Sequence, residues 1–316
     1  MPAAARAQSP GFVLDPAGPP ARAISDLFNI VFILSAAVLL LVWGLLAYCV
    51  VRFRARPGAA VPRQVQGNMR LEIGWTVAPF ALLAVLLALE LPTIFGSAAS
   101  QPNALTVVAT GHQFWWEFEY PAQGAITSNE MHIPVGVPVR VQLRSADVVH
   151  ALWIPRLNGK FDMVPGRTNE IWFHADSPDV YVGQCSELCG IQHAGMLLRV
   201  IAEPPDQFAA WAASQAQPAA QPAAGQAAQG QQVFQTNACG DCHAVRGVTG
   251  PVRAGPDLTH LASRQTLAAG VITNTPDDLR RWLDNPQLVK PGALMPTFRL
   301  SDADLSALTA YLEGLQ

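Results

Sequence analysis

Two long apolar stretches near the start of the chain predict a pair of membrane-spanning helices. No charged residue interrupts residues 27–51, and Glu90 is the only charge within residues 73–95. Because a helix rises about 1.5 Å per residue, each stretch is long enough to cross the hydrocarbon core of a bilayer. The pattern therefore predicts a transmembrane helical hairpin over residues 27–96. Residues 1–26 are rich in Ala and Pro without an apolar core, which predicts a disordered lead.

Arginines between the two stretches predict how the hairpin is oriented. Basic residues favour the cytoplasmic side of short loops. After the second stretch, no Lys or Arg occurs before Arg140. We therefore expect the connecting loop in the cytoplasm, and both termini with everything beyond residue 96 on the extracytoplasmic side of the membrane. The loop arginines are Arg52, Arg54, Arg56, Arg63 and Arg70.

Beyond the hairpin, the pattern changes to short β-rich runs separated by Gly, Pro and Asp. Seven such runs within residues 97–211 predict a β-sandwich or barrel. A rigid scaffold of this kind holds ligand-bearing loops firmly at one end. The predicted strands are Leu105–Ala109, Phe114–Tyr120, Val139–Leu143, Ala151–Ile154, Glu170–His174, Val180–Gly183 and Met196–Ala202.

Composition supports a membrane portion and narrows the chemistry. The chain is 50% hydrophobic and 14% charged, and this charged fraction is low for a soluble protein. Its net charge of −3 is too small to indicate nucleic-acid binding. Four of the five cysteines form two close pairs beside histidines, which indicates cofactor ligation rather than a disulfide framework. The fifth, Cys49, lies in the first apolar stretch and is expected to be a packing residue.

The first cysteine pair lies in a dense cluster of soft ligands. Cys185, Cys189, His193 and Met196 fall within one short run, and His150 precedes them. Two thiolates and two imidazoles suit a structural zinc, although zinc leaves Met196 without a role. A disulfide between the cysteines is a further alternative outside the cytoplasm. Mononuclear electron-transfer copper takes two His, one Cys and a weak axial Met, and the surplus thiolate can bridge a second copper ion.

The run C-S-E-L-C-G-I-Q-H-A-G-M, which starts at Cys185, resembles the binuclear copper motif of cytochrome c oxidase subunit II. The resemblance covers about residues 27–211. It implies two helices followed by a cupredoxin-like Greek-key β-sandwich, and it favours copper over zinc or a disulfide. The implied copper ligands are the bridging thiolates of Cys185 and Cys189, one imidazole each from His150 and His193, the thioether of Met196 and the backbone carbonyl of Glu187.

The same resemblance implies roles outside the copper ligands. The Glu187 carboxylate is expected to face subunit I, where the family holds a magnesium ion. Glu72 is an ordinary interfacial acid by its residue type, but it matches the acid at the cytoplasmic mouth of the family's lysine-lined proton channel. Phe114 stands where many members have a Trp through which electrons enter from a soluble cytochrome c. Because of this departure, either Trp115 or Trp116 supplies the path or the C-terminal tail docks differently.

A second cofactor motif follows a change in composition. Residues 212–230 are low in complexity and lack bulky apolar residues, which predicts a flexible linker. A short helix over residues 231–238 is expected to lead into Cys239-Gly-Asp-Cys242-His243. The pattern C-x-x-C-H attaches a c-type haem, with His243 as the axial ligand. A thioredoxin-like C-x-x-C is the alternative, but no βαβ pattern surrounds it.

The remaining haem contacts are predicted from residues further along the chain. Met295 lies in a Pro-flanked loop and is the expected sixth ligand of the iron. Met163 and Met196 are alternatives by residue type, although both belong to the sandwich. Pro256 is placed so that its carbonyl can accept the ring N–H of His243.

The tail of residues 231–316 resembles a class I cytochrome c. Its C-terminal helix is expected to begin at Ser301, with leucines at helical spacing. Asn274 stands where the mitochondrial carriers have a propionate-binding Trp, so the contacts of the haem propionates are left open. The leucines are Leu305, Leu308, Leu312 and Leu315.

Together, the two resemblances imply the electron-transfer subunit of a caa-type cytochrome c oxidase. Electrons pass from haem c to the binuclear copper and on to subunit I, where dioxygen is reduced to water with proton pumping. The oxygen-reduction site then lies outside this chain. The implied partners are oxidase subunits I and III, cytochrome c or another respiratory donor, and the lipid bilayer.

Two other functions fit parts of the pattern. One is a copper-containing subunit of a nitric oxide reductase from the same superfamily, which the sequence of the partner subunit would distinguish. The other is a membrane-tethered copper or electron carrier without catalysis. A copper carrier has no need of the C-x-x-C-H motif, so covalent haem on the purified chain would argue against it.

Overall fold

The chain folds into two compact units, of which one is Arg22–Ser97 and the other combines the segment before it with Ala98–Gln316. Residues 1–13, half of the predicted lead, lie outside the described residues. The structure is a computed structural model, and it describes residues 14–58, 60–61, 63–97, 101–222 and 224–316.

Two long helices make up the smaller unit. Helix α1 spans Pro19–Arg52 and helix α2 spans Met69–Ser97. Both are long and apolar enough to cross a membrane, and their large apolar side chains are exposed, as Phe32 and Trp43 illustrate. Helix α1 begins before the predicted residue 27, so part of the lead expected to be disordered is helical. Proline explains this start, because its fixed φ suits the first helical turn.

Ten strands of the larger unit form a β-sandwich of two five-stranded sheets. They are β1 (Leu105–His112), β2 (Trp115–Tyr120), β3 (Ala125–Ser128), β4 (Glu130–Pro134), β5 (Val139–Ser145), β6 (His150–Trp153), β7 (Phe161–Met163), β8 (Asn169–Phe173), β9 (Asp179–Cys185) and β10 (Leu197–Glu203). The sheet orders are β3-β2-β1-β5-β8 and β4-β10-β9-β6-β7. β1 pairs with β5, and β4 with β10, in parallel, while the other neighbours are antiparallel.

The sandwich confirms the predicted fold class and all seven predicted strands, with shifted ends. Strands β3, β4 and β7 were not predicted from the sequence. β7 has only 3 residues, and β4 contains Glu130 and His132, which weaken a β-rich pattern. Both sheets bury their inner faces on each other, and the shared core includes Trp116, Phe118 and Leu152.

The chain then leaves the sandwich through helix α3 (Pro205–Gln215), which packs against β3 and β4 and adds Phe208 and Ala212 to the sandwich core. The Trp211 ring stacks on His132 with centroids 4.1 Å apart. The next helix, α4, spans Gln226–Thr236. The predicted limits of the linker, residues 212–230, are therefore wrong at both ends. Helix α3 extends to Gln215 and helix α4 begins at Gln226. Ala and Gln favour helix once neighbouring elements bury one side of it.

The C-terminal part is a small helical domain with a short hairpin. Its further elements are β11 (Thr266–Leu267), β12 (Ile272–Thr273), α5 (Pro276–Asp284), α6 (Pro286–Val289) and α7 (Asp302–Glu313). The leucines expected on α7 at positions 305, 308 and 312, with the following Leu315, are buried as predicted. Gly230 of α4 lies against the Ala307 carbonyl of α7, where a Cβ would collide with the backbone. A glycine is therefore required for these helices to cross so closely.

Candidate metal and haem sites

Strand pairing brings the predicted copper ligands to one end of the sandwich. His150 begins β6 and Cys185 ends β9, and these two strands are hydrogen-bonded neighbours. The backbone N–H of Cys185 donates to the Met196 carbonyl at 2.9 Å. This bond closes the loop between β9 and β10, which carries Cys189 and a 3₁₀ turn that starts at His193. The ligands thus come from adjacent strand ends and one closed loop.

Cys185 has three of the other predicted ligands around its thiol. Its Sγ lies 3.8 Å from Cys189 Sγ, 3.9 Å from His150 Nδ1 and 3.2 Å from the Glu187 carbonyl oxygen. A disulfide bond is about 2.05 Å long, so the two sulfurs are not bonded to each other. Cys185 and His150 are buried. The side of the cluster formed by His150 is therefore shielded from water.

Cys189 has the remaining two ligands on its other side. Its Sγ lies 3.8 Å from His193 Nδ1 and 3.8 Å from Met196 Sδ. Cys189 and Met196 are buried, and His193 is half-buried. The two thiols are thus surrounded by both histidines and the thioether, which is a donor set able to hold metal.

The two thiols differ in their tendency to ionise. Burial opposes ionisation of Cys185, but hydrogen bonding with His150 and neighbouring backbone groups lowers its pKa to about 6. Burial raises the pKa of Cys189 to about 12, and the charge on Cys185 adds to that rise. One thiolate is therefore favoured near neutral pH. Ionisation of the second needs further positive charge, which metal binding supplies.

Asp147 orients a ligand histidine and was not predicted from the sequence. The Nε2–H of His150 donates to Asp147 Oδ1 at 2.7 Å, which leaves Nδ1 facing the thiol. Asp147 also accepts the backbone N–H of Gln113 at 2.7 Å and of Val148 at 2.6 Å. Although burial acts to raise it, the hydrogen bond from His150 and these backbone bonds lower the pKa of Asp147. A carboxylate in this position fixes the imidazole tautomer.

The donor set fits copper better than the alternatives. Tetrahedral structural zinc takes four ligands, whereas two thiolates, two imidazoles, a thioether and a carbonyl converge here. Thioether and thiolate sulfur with imidazole is a copper-type set.

The C-x-x-C-H motif lies in a second site, an open cleft lined mainly by apolar side chains. Cys239, Cys242, His243 and Met295 all line it, so the structure brings the predicted axial ligands to one cleft. The His243 ring donates from Nδ1 to the Pro256 carbonyl at 2.8 Å. That hydrogen bond was expected from the sequence, and it leaves Nε2 available for iron.

Two further features show that the cleft suits a haem. A Cβ on Gly255 would lie 2.6 Å from Cε1 of His243, so only glycine lets the ring lie flat against the backbone. Arg264 is buried in the cleft wall, and its Nε has no hydrogen-bond partner among the described residues. A buried guanidinium with a spare donor suits a haem propionate. Arg264 was missed because an isolated arginine in a sequence carries no such signal.

The other candidates for the haem have different roles. Asn274 donates from Nδ2 to the carbonyls of Leu261 and Arg264, at 2.9 Å each. It therefore braces the segment that carries Arg264 and does not line the cleft. Met163 pairs with His150 across β6 and β7, and Met196 belongs to the thiol cluster. Neither alternative methionine lines the cleft, which leaves Met295.

The three predicted aromatic residues occupy different places. Phe114 and Trp115 line the haem cleft, together with Gln113. Trp116 is fully buried beneath the copper ligands, and its Nε1 donates to the Met196 carbonyl at 3.4 Å. The Gln113 side chain donates from Nε2 to the Cys189 carbonyl at 2.6 Å. Gln113 therefore touches both sites, which no sequence motif indicated.

The two acids predicted to be functional, Glu187 and Glu72, each make a local polar contact in the structure. Glu187 Oε2 lies 3.7 Å from Lys160 Nζ at the surface, while its carbonyl points to Cys185. Glu72 lies in the first turn of α2, where its Oε1 accepts the backbone N–H of Asn68 at 3.2 Å. A carboxylate there also suits the positive end of the helix dipole.

Three protein families match successive parts of the sequence. Residues 7–92 match the transmembrane domain of cytochrome c oxidase subunit II, and residues 123–203 match its periplasmic domain. Residues 227–316 match cytochrome c. Cytochrome c oxidase subunit 2 of Alkalihalophilus pseudofirmus is 40% identical, over 96% of this chain and 90% of that protein. The chain belongs to the cytochrome c oxidase subunit II family.

Further relatives have the same description. Cytochrome c oxidase subunit 2 of Bacillus subtilis is 34% identical, over 85% of this chain and 82% of that protein. Among solved structures, the periplasmic domain of subunit II of cytochrome oxidase of Bradyrhizobium japonicum is 36% identical. It covers 37% of this chain and 96% of its own length, with a TM-score of 0.36. Family membership confirms the resemblance inferred from the copper motif and from the C-x-x-C-H tail.

Proposed function

We propose that the chain is the electron-transfer subunit of a cytochrome c oxidase. It passes electrons from haem c to a binuclear copper centre and on to subunit I, where dioxygen is reduced to water with proton pumping. The observation that carries the proposal is the shared boundary of the two sites. Gln113 lines the haem cleft and donates to the carbonyl of the copper-ligand residue Cys189.

Copper and haem iron each take up and release single electrons. Cys185 and Cys189 hold two copper ions as bridging thiolates, and the donor set around them supports two ions rather than one. His150 and His193 complete one ion each, with Met196 and the Glu187 carbonyl as the weak ligands. Burial of the cluster excludes water, so its surroundings change little when an electron arrives.

The haem is held by side chains spread over the C-terminal domain. Cys239 and Cys242 form the thioether links, His243 and Met295 are the axial ligands, and Arg264 binds a propionate. The path between the sites runs through Gln113 and Phe114, with Trp115 at the edge of the cleft. Trp116 lies behind the copper ligands and supports them.

The membrane placement and the further partners complete the proposal. The helical hairpin lies in the bacterial inner membrane, with the arginine-bearing loop in the cytoplasm and both redox domains in the periplasm. Subunits I and III are neighbours in the membrane, and cytochrome c or another respiratory protein is the donor. The Glu187 carboxylate faces subunit I and shares a magnesium ion with it, and Glu72 lies at the mouth of a proton channel.

Metal and haem analysis of the purified oxidase tests this proposal. We expect two coppers held by this chain and one covalent haem c, with a paramagnetic-resonance signal of an electron shared by two copper ions. One copper per chain, or zinc in its place, would contradict the binuclear assignment. Cys49→Ser is the matched control, because Cys49 is exposed on α1 and should not change either count.

The two alternatives have less support. The relatives that match most of the chain are cytochrome c oxidase subunits, which does not favour a nitric oxide reductase. A copper carrier would not need the cytochrome c domain that residues 227–316 match.

A further inference from the structure

The haem domain is joined to the sandwich by buried polar contacts, and a lysine makes the most unusual of them. Lys290 follows α6 and is buried, with 4% of its surface exposed. Its Nζ donates to the carbonyls of Phe114 at 2.8 Å and Gly195 at 2.7 Å. A third bond, of 3.1 Å, goes to Ala268 in its own domain. All three donors of the ammonium group are thus used, and two reach loops beside the copper ligands.

A buried ammonium group is costly unless it is fully hydrogen-bonded. Burial accordingly lowers the pKa of Lys290 to about 7. If the haem domain moved away from the sandwich, Lys290 would lose the carbonyls of Phe114 and Gly195 and return to water. The residue therefore has a complete set of partners only in the docked arrangement. Lys160 is the only other lysine in a sequence that otherwise uses arginine.

A second buried contact joins the two domains at the segment that precedes Ala268. Glu130 of β4 is 1% exposed. Its carboxylate accepts the backbone N–H of Gln265 at 2.9 Å, and the backbone N–H and hydroxyl of Thr266 at 2.8 Å and 2.7 Å. Arg199 reaches Gln265 from the sandwich at 3.3 Å. The haem domain is therefore held to the sandwich by a buried lysine and a buried carboxylate, and Arg253 adds ion pairs with Glu117 and Glu119.

The Lys290 contact continues into the loop that carries the sixth haem ligand. Gln192 of the copper loop donates to the Pro291 carbonyl at 2.5 Å. Gln287 of α6 accepts the backbone N–H of Gly292 at 2.8 Å and donates to the Met295 carbonyl at 3.1 Å. A short chain of hydrogen bonds thus links the copper loop, the lysine segment and the iron ligand.

We propose that Lys290 is a positioning residue that locks the haem domain onto the copper domain, so that electrons cross a fixed interface. Transfer then needs no search by a tethered domain, and its rate depends on the docked geometry rather than on linker length. The proposal deepens the proposed function, since it rests on haem c as the source of electrons for the copper centre. Lys290 also lines the haem cleft, and the role assigned to it is to position the domain.

Amine labelling of the purified oxidase tests the docked state without any redox readout. Because the chain has two lysines, an acylating reagent followed by mass spectrometry gives the extent of modification of each one separately. Lys160 is half-exposed and should be modified, whereas Lys290 should be protected by about tenfold or more, as for a group that reacts only after local opening. The lowered pKa alone would make Lys290 more reactive at pH 8. Equal labelling of the two lysines in the wild-type oxidase would overturn the proposal.

A variant on the other domain shows whether the protection comes from docking. Glu130→Gln places an amide NH₂ against the N–H groups of Gln265 and Thr266, which loosens a contact between the domains that Lys290 does not itself make. We expect labelling of Lys290 to rise in this variant while Lys160 labelling stays constant. Unchanged protection of Lys290 would mean that the lysine is buried by its own domain, which would refute the lock.

Rapid photoreduction of haem c, followed by the arrival of electrons at copper, tests the positioning role. Lys290→Met keeps the length of the side chain but removes its three hydrogen bonds. We expect transfer to slow, because the haem domain is no longer held in its docked position, while the haem c spectrum and potential stay unchanged. Arg281→Met is the control, because Arg281 pairs with Asp278 on its own helix at 2.9 Å. Wild-type transfer rates in Lys290→Met would contradict the proposal.

The two proposals fail in different ways. If metal and haem analysis finds no binuclear copper, the proposed function fails while the lysine labelling is unaffected. If both cofactors are present and Lys290 reacts freely, only the lock fails.

Discussion

The copper-ligand cluster and the haem cleft lie in the same compact unit, yet the protein builds them differently. The copper ligands come from two paired strands and one closed loop, and their donor atoms are already 3.2–3.9 Å apart. The haem cleft instead collects Cys239, His243, Arg264 and Met295 from segments joined by loops and short helices. The sandwich has its own core of paired sheets, whereas the core residues of the haem domain also form the cleft wall.

This difference predicts which site depends on its cofactor for folding. A cluster fixed by backbone pairing should keep its geometry without metal. A small domain whose apolar side chains face a cleft loses much of its buried area when the cleft is empty. We therefore expect the sandwich to hold the copper-ligand geometry without metal. The haem domain, in contrast, should need its haem to fold.

The strongest test removes both haem attachment points. In Cys239→Ala with Cys242→Ala, we expect the haem domain to lose its protection against trypsin and the sandwich to keep it. Cleavage at the arginines and the lysine that lie beyond residue 230 should accelerate at least tenfold. This factor corresponds to roughly 1.4 kcal/mol of lost stability. Timed digestion with mass spectrometry measures this. Equal resistance of the two domains would break the comparison, and Cys49→Ala serves as the control.

The reciprocal test removes a copper ligand. Cys185→Ser should abolish copper binding and reduce oxygen uptake by more than about 100-fold, beyond the 10–100-fold cost of losing an outer-shell partner. The haem c spectrum and the thermal stability of the sandwich should be retained, because backbone bonds hold the loop. Oxygen-electrode turnover, optical spectroscopy and calorimetry follow the three properties. Wild-type turnover would refute the role of Cys185, and loss of the sandwich fold would show that the metal builds the site.

Replacing the sixth haem ligand sharpens the contrast on the haem side. Met295→Ala should lower the haem c potential by roughly 0.1 V or more, within the ~0.8 V range that axial ligands span. The copper signal should not change, since the copper ligands are held by other bonds. A spectroelectrochemical titration reads both centres in one sample. Met163→Leu is the matched control, and no shift in Met295→Ala would mean that another group ligates the iron.

The smallest expected effect concerns the partner of a copper-ligand histidine. Asp147→Ala frees the Nε2–H of His150 and the backbone N–H of Gln113, so copper affinity should fall about 10–100-fold. Competition with a copper chelator measures the change, with Asp206→Ala on the exposed face of α3 as the control. Unchanged affinity would show that strand pairing alone is enough to orient His150.

Local sequence was sufficient for the copper and haem motifs, because their spacing is itself the chemical signal. Cys185 to Met196 lie in one loop, and Cys239 to His243 in one turn. The hydrophobic pattern also predicted the sandwich and the buried face of α7. Short strands such as β7 and the Gln-rich start of α4 were missed, since packing rather than residue preference decides them.

Residues that act across the fold could not be found in this way. Arg264, Gln113 and Lys290 are ordinary residue types in unremarkable sequence surroundings. Their importance arises from tertiary contacts between segments far apart in the chain, as in the bond of Lys290 to Phe114. Asp147 is intermediate, since it lies close to His150 in sequence, but the orientation of its carboxylate depends on the turn between β5 and β6.

The placement of Phe114 and Trp115 in the wall of the haem cleft has a consequence for the order of the circuit. A mobile carrier that approached the sandwich at these aromatic residues would meet the resident domain already seated there. If electrons reach copper through haem c as proposed, a soluble donor must reduce the haem domain first, because Phe114 and Trp115 are buried beside it. The rate of respiration would then depend on how fast reduced donor reaches the haem domain, whatever the number of soluble carriers around the enzyme.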